Sequence, residues 1–167
     1  IPALVKEQFG TLRPMACANL PYYITSPILT ALLEAECFDS VTVMVQKEVA
    51  QRIAAKPGTA DYSAFTIFCN YYAEPEIFFD VPAHCFLPQP KVTSAVIQLK
   101  VRENRPWDID DEDIFFRCVK SSFAMRRKKL SNGLASGFPE LGKEGAAAVI
   151  AECGFPESVR GETLDIP

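Results

Sequence analysis

The chain has 167 residues, 49% hydrophobic and 23% charged, with a formal net charge of −4. That length can bury a core in one or two small domains, and that charge excludes a polycation that binds any nucleic acid indiscriminately. No apolar run reaches the roughly 20 residues of a membrane-spanning helix, and the opening IPALVKEQFG lacks the basic start and small-residue cleavage site of a secretory leader, so no membrane partner and a cytoplasmic setting are expected.

Taken in chain order, residues 15–18, 41–46, 76–81 and 92–101 are rich in β-branched or aromatic residues with partial alternation, and predict strands. Helical patterns fill the intervals at 26–37, where Ile28, Leu29, Leu32 and Leu33 share a face, and at 47–55 and 63–73. Strands alternating with helices predict an α/β fold with a mostly parallel sheet, the last two strands being close enough to pair antiparallel. Beyond Asp108 the pattern predicts only helices, at 110–123, 124–136 and 143–153, separated by Gly137, Pro139, Gly142 and Gly154. The link RENRPWD at 102–108 predicts a division into residues 1–103 and 104–167.

Charge is unevenly spread. Residues 108–113, DIDDED, are almost wholly acidic, as suits the first turn of a helix whose amides are unpaired. From Arg117 to Pro139 stand six bases, Arg117, Lys120, Arg126, Arg127, Lys128 and Lys129, and no acid. A run such as RRKKL fits a solvated helix face or a phosphate-binding surface equally well.

Six cysteines (Cys17, Cys37, Cys69, Cys85, Cys118, Cys153) form no CxxC pair, which argues against a zinc site and a dense disulfide framework; reduced thiols, mostly in the core, are expected. His84 is the single histidine, so metal sites built on paired histidines are excluded, and its neighbour Cys85 is badly placed for a Cys-His dyad.

The stretch NLPYYITSPIL follows the first predicted strand at the end where open α/β sheets bind ligands. An exocyclic amine on a base is a poor nucleophile because its lone pair is delocalised into the ring. The side-chain oxygen of Asn19, with a backbone carbonyl, can accept both N–H bonds and favour the reactive, lone-pair-bearing nitrogen. Pro21 stiffens the turn, and Tyr22 offers a face on which a displaced base can stack. Alone, Asn-x-Pro-Tyr also suits an ordinary turn.

The ordered set NLPYYITSPIL, VMVQKEVAQRI, FLPQPKVTSAV, FAMRRKKLSNGL and RGETL resembles the ribosomal RNA adenine N6-dimethyltransferases. Leu20 and the last two motifs resemble the small-subunit branch more than the erythromycin-resistance methylases of the large subunit. The resemblance implies a Rossmann-like methyltransferase sheet followed by a small helical domain, and dimethylation of adjacent adenines in small-subunit ribosomal RNA with S-adenosyl-L-methionine as methyl donor. It implies that Asn19, Leu20 and Pro21 lie at the donor, that Tyr22 lies beside the adenine, and that Phe86 closes over the other face of the base. The prolines Pro82, Pro88 and Pro90 suit a stiff loop presenting that ring. Gln46, Lys47 and Glu48 are implied to lie near the substrate. The basic run is implied to dock on ribosomal RNA in a 30S-type particle, neutralising phosphates without reading bases.

The departure from the family concerns the donor. The eight glycines contain no GxGxG, and the acidic residues that follow the family's next strands are missing. The chain is therefore expected to be the C-terminal part of a longer protein, inactive alone, and prone to self-association through an exposed strand edge at 15–18. A non-catalytic ribosomal RNA-binding or assembly fragment and a methylase of DNA adenine remain the alternatives.

Overall fold

The computed structural model describes residues 1–166. They divide into two compact units, one of residues 1–54 and 69–106, the other of residues 55–68 and the chain from Trp107 onward. The boundary at 106/107 falls inside the expected link. Residues 55–68 depart from the expected division at 103/104. The physical reason is apolar: Tyr62 and Ile67 are buried with Val119, and Ala55, Ala64, Phe115 and Phe123 pack around them. The Tyr62 hydroxyl also donates to the Leu164 carbonyl at 2.9 Å.

In the first unit, α1 (Pro2–Phe9), which no strong periodicity announces, precedes β1 (Ala16–Asn19), α2 (Thr25–Glu34), β2 (Ser40–Gln46) and α3 (Lys47–Ile53). The helix α4 (Ala64–Tyr72), of which Cys69–Tyr72 belong to this unit, runs directly into β3 (Ala73–Val81), and β4 (Ser94–Val101) completes the sheet. The strand order is β1-β2-β4-β3. Only β1 and β2 are parallel; β4 pairs antiparallel with both β2 and β3. The expected mostly parallel sheet is thus corrected to a mixed one, with the last two strands antiparallel as expected.

Residue chemistry accounts for the order. In β4, Ala95, Ile97 and Leu99 are fully buried, as befits a strand flanked on both sides. In β3, Glu74, Pro75 and Glu76 bring charge and a missing N–H, which suit an edge. The core lies between α2, whose Leu29 and Leu33 are fully buried, and the sheet, where Val41, Val43 and Val45 of β2 point inward. The same topology brings the ends of β1, β2 and β3 and the start of β4 to one edge, because Asn19 is in register with Met44, and Gln46 with Ser94, itself in register with Val81.

The second unit contains α5 (Glu112–Ala124), α6 (Leu130–Gly137) and α7 (Gly142–Glu152), and no strand among the described residues. The acidic cluster takes the expected part: the Asp111 side chain accepts from the Ile114 amide at 2.9 Å, with Glu112 and Asp113 in the first turn of α5. The expected helix from 124 instead begins at Leu130. Residues 125–127 form a turn closed by the Lys128 amide on the Met125 carbonyl at 2.8 Å. Lys129 is extended (φ −58, ψ 147) and leads into α6.

Candidate functional site

A cleft of about 310 Å³ opens at the shared sheet edge of the first unit, lined by Asn19, Leu20, Pro21, Tyr22, Phe86, Pro88 and Pro90. Its volume lies at the lower end of the ~300–1,000 Å³ typical of ligand sites. The turn after β1 and the loop between β3 and β4, separated by some sixty residues of sequence, meet here. All five residues expected at the donor or the base, Asn19, Leu20, Pro21, Tyr22 and Phe86, are therefore brought together.

The turn is tightly fixed. The Leu20 amide donates to the Met44 carbonyl at 3.1 Å, extending the register of β1 by one bond. Pro21 is extended (φ −61, ψ 128), and its carbonyl accepts from the Ile24 amide at 3.2 Å and from Thr25 Oγ1 at 3.2 Å. Thr25 Oγ1 also lies 3.3 Å from the Tyr22 carbonyl, and its residue is buried. The Tyr22 hydroxyl shares a 2.6 Å hydrogen bond with Ser94 Oγ. The carbonyls of Pro21 and Tyr22 are thus committed internally. The Leu20 carbonyl and the exposed Asn19 side chain have no hydrogen-bond partner among the described residues, which leaves two acceptor oxygens at the cleft. The Leu20 side chain is buried, so Leu20 also roots the turn in the core.

Phe86 follows a 3₁₀ turn at Ala83–Cys85 and is extended (φ −116, ψ 149) and half-buried. The loop is anchored where it re-enters the sheet by the Lys47 amide donating to the Thr93 carbonyl at 3.0 Å. Near the same edge Lys47 Nζ pairs with Asp80 Oδ2 at 2.6 Å, which gives Lys47 a bracing role, while Glu48 pairs with Arg52 at 2.7 Å. His84 is exposed and does not line the cleft, and no group of three or more metal-ligating side chains occurs among the described residues.

The six bases of the basic run fall into two classes. Arg117 donates to the Gly137 carbonyl at 2.8 Å, pairs with Glu140 at 3.1 Å and lies 4.1 Å above the Phe138 ring. Arg126 donates to the Ala60 carbonyl at 2.9 Å and faces Glu162 at 3.4 Å, and Lys129 pairs with Glu157 at 2.6 Å. Lys120, Arg127 and Lys128 are exposed, with no ion pair among the described residues. Lys128 and Lys143, with Asn132 and Ser136, line a groove of about 540 Å³ within the second unit. Lys143 and Asn132 stand outside the motif's basic cluster, so the sequence pattern did not mark them.

The cysteines correct the expectation of core filling. All six are free thiols, but only Cys69 is buried, while Cys17, Cys85 and Cys153 are exposed. Burial pushes the Cys69 thiol far above its ordinary pKa.

A mixed α/β sheet thus carries an amide, a proline and two aromatics that converge at one edge. The profile of the family "Ribosomal RNA adenine dimethylase" matches residues 3–152. The chain belongs to that family. It is 49% identical over 168 residues to the ribosomal RNA small subunit methyltransferase A of Geobacillus kaustophilus, covering 98% of this chain and 57% of the relative. With the protein of the same name from Clostridioides difficile it shares 47% identity over 167 residues, covering 99% of this chain and 57% of the relative. The chain thus spans 57% of the length of both relatives. Among solved structures, a dimethyladenosine transferase from Plasmodium falciparum superposes with a TM-score of 0.79 at 23% identity, covering 95% of this chain and 66% of that one. The 23S rRNA methyltransferase ErmE gives 0.62 at 24%, covering 92% and 65%. At these identities the likeness is one of fold.

Proposed function

We propose that this chain carries the base-binding side of an enzyme that methylates the N6 amine of adenine, twice on one nitrogen, in adjacent adenines of small-subunit ribosomal RNA. The observation that carries the reading is the convergence of Asn19, Leu20, Tyr22 and Phe86 on one cleft. The Asn19 side-chain oxygen and the Leu20 carbonyl accept the two N–H bonds of the amine, which draws its lone pair out of the ring. The Tyr22 and Phe86 rings take the faces of the displaced base, and the prolines hold the Phe86 loop at low entropic cost. S-adenosyl-L-methionine supplies an electrophilic methyl group; Asn19, Leu20 and Pro21 are the residues that would touch it. The fit is good on the acceptor side, where two unpartnered oxygens stand. After one transfer the amine keeps a single N–H, so one of the two acceptors suffices for the second.

In the second unit, Lys120, Arg127 and Lys128 are the phosphate-facing bases, while Arg117, Arg126 and Lys129 fix the fold. A second reading, the non-catalytic ribosomal RNA-binding fragment, is favoured by the absence of any GxGxG among the eight glycines. On that account the 167 residues hold RNA without turning it over by themselves. Both readings place the chain where small ribosomal subunits are assembled.

Binding to small-subunit particles lacking N6-dimethyladenine, with large-subunit particles as competitor, tests the reading. Small-subunit particles are expected to be preferred, and Tyr22→Ala with Phe86→Ala to weaken binding at least ~10-fold, since base stacking contributes ~1–3 kcal/mol per base. Equal binding to both subunits, or no effect of losing both rings, would overturn it.

A further inference from the structure

Ser94 is completely buried at the start of the central strand β4, a place where an apolar residue is the ordinary choice. A buried hydroxyl without a partner is destabilising, and this one has a single side-chain partner, the Tyr22 hydroxyl at 2.6 Å. The bond spans 72 residues of sequence. It ties the ring that follows β1 to the residue at which the Phe86 loop re-enters the sheet. Ser94 is in turn locked from both sides, in register with Gln46 of β2 and Val81 of β3.

We propose that Ser94 is a positioning residue for base binding, setting the plane of the Tyr22 ring and hence the gap between Tyr22 and Phe86 in which a flat purine is held. Two consequences follow from the geometry. The Tyr22 hydroxyl is committed to the sheet, so Tyr22 works on substrate through its ring face and not as an acid or base. The gap is set by one short bond to a rigid strand, so it is fixed before the base enters, which lowers the entropy lost on binding. Thr25, buried and bonded to the Pro21 and Tyr22 carbonyls, holds the backbone of the same turn but leaves the ring angle open.

The inference rests on the base-clamp reading above. It is tested on this chain with a short single-stranded RNA carrying 8-vinyladenine, a fluorescent base that keeps the 6-amine, in place of one adenine, so that its fluorescence reads stacking. Ser94→Ala and Tyr22→Phe are each expected to weaken the stacked complex about five-fold, the factor a single net hydrogen bond supplies. The double variant is expected to be no weaker than either single one, because both remove the same bond. Ser94→Thr, which keeps the hydroxyl, is expected to restore the signal. Thermal unfolding of the same four proteins reads the bond independently of any ligand, and the coupling should appear there too. Additive losses, or a Ser94→Ala protein that stacks 8-vinyladenine like the parent while Tyr22→Ala does not, would overturn the positioning role alone. If Tyr22→Ala stacks like the parent, the base-clamp reading fails, and the positioning role with it.

Discussion

Asn19 and Leu20 stand at a turn whose neighbouring polar atoms are largely used within the fold. The turn offers three carbonyls, and those of Pro21 and Tyr22 are used by Ile24 and Thr25. The Leu20 carbonyl and the Asn19 amide oxygen are left over, and in the proposed function these two receive the incoming amine. The thiols give a prediction at the same scale that does not depend on function. Cys17, Cys85 and Cys153 are expected to react with a thiol reagent in the native protein at pH 8, and Cys69 only after denaturation, since burial both blocks access and suppresses the thiolate. Mass spectrometry of the alkylated protein checks this, and early labelling of Cys69 would contradict the packing of α4. The sequence marked Asn19 and Tyr22 because amide, proline and aromatic in that order suit a base amine, whereas Phe86 was marked only by the family resemblance. Ser94 was not legible, since a serine in a β-rich run carries no sign of which hydroxyl it meets 72 residues away.

At the level of elements, small residues set the helical unit. A Cβ on Gly133 of α6 would lie 2.4 Å from the Ser121 carbonyl oxygen of α5, and one on Gly161 would lie 2.6 Å from the Ser122 carbonyl oxygen. Close approach of backbone is what these positions require, and it gives Gly161 of RGETL a packing role. Gly133→Ala is expected to destabilise the chain by about 1–3 kcal/mol, the usual range for overpacking, read as a lowered melting temperature. The basic run separates in the same way. Replacing Lys120, Arg127 and Lys128 by alanine is expected to leave melting unchanged while reducing the slope of log affinity for small-subunit particles against log salt by about 2. Arg117→Ala, losing a carbonyl, a carboxylate and a ring contact, is expected to lower melting instead. The reverse pattern would restore RRKKL to a mere solvated surface. The periodicity at 124–136 read as one helix because Lys and Arg are good helix formers. It could not show that the Lys129 backbone breaks the run so that the Leu130 amide can donate to the Val159 carbonyl at 2.8 Å.

For the whole molecule, strand identity was legible and strand order was not. Apolar alternation marks β2 and β4, but only the packing of Ala95, Ile97 and Leu99 places β4 between β2 and β3. The order carries the Phe86 loop to the edge where Asn19 lies, which is what the proposed function requires. It also leaves β1 paired on one side only, beside the exposed Leu12 and Met15. Sedimentation is expected to show association of this chain at tens of micromolar, and a monodisperse monomer would contradict that edge's exposure as a determinant of behaviour. Calorimetry of S-adenosyl-L-methionine with the 167 residues is expected to give no heat, in keeping with the lack of a glycine-rich turn. The most direct measurement joins this chain to the part of the Geobacillus kaustophilus relative that lies outside the 57% it matches and follows labelled methyl into unmethylated small-subunit particles, with nucleosides read by mass spectrometry. The account predicts N6,N6-dimethyladenosine from the chimera and at least a ~100-fold slower reaction with Asn19→Ala, the scale of removing one preorganised hydrogen-bonding group. Methyl groups found on another base, or an unchanged rate for Asn19→Ala, would contradict it.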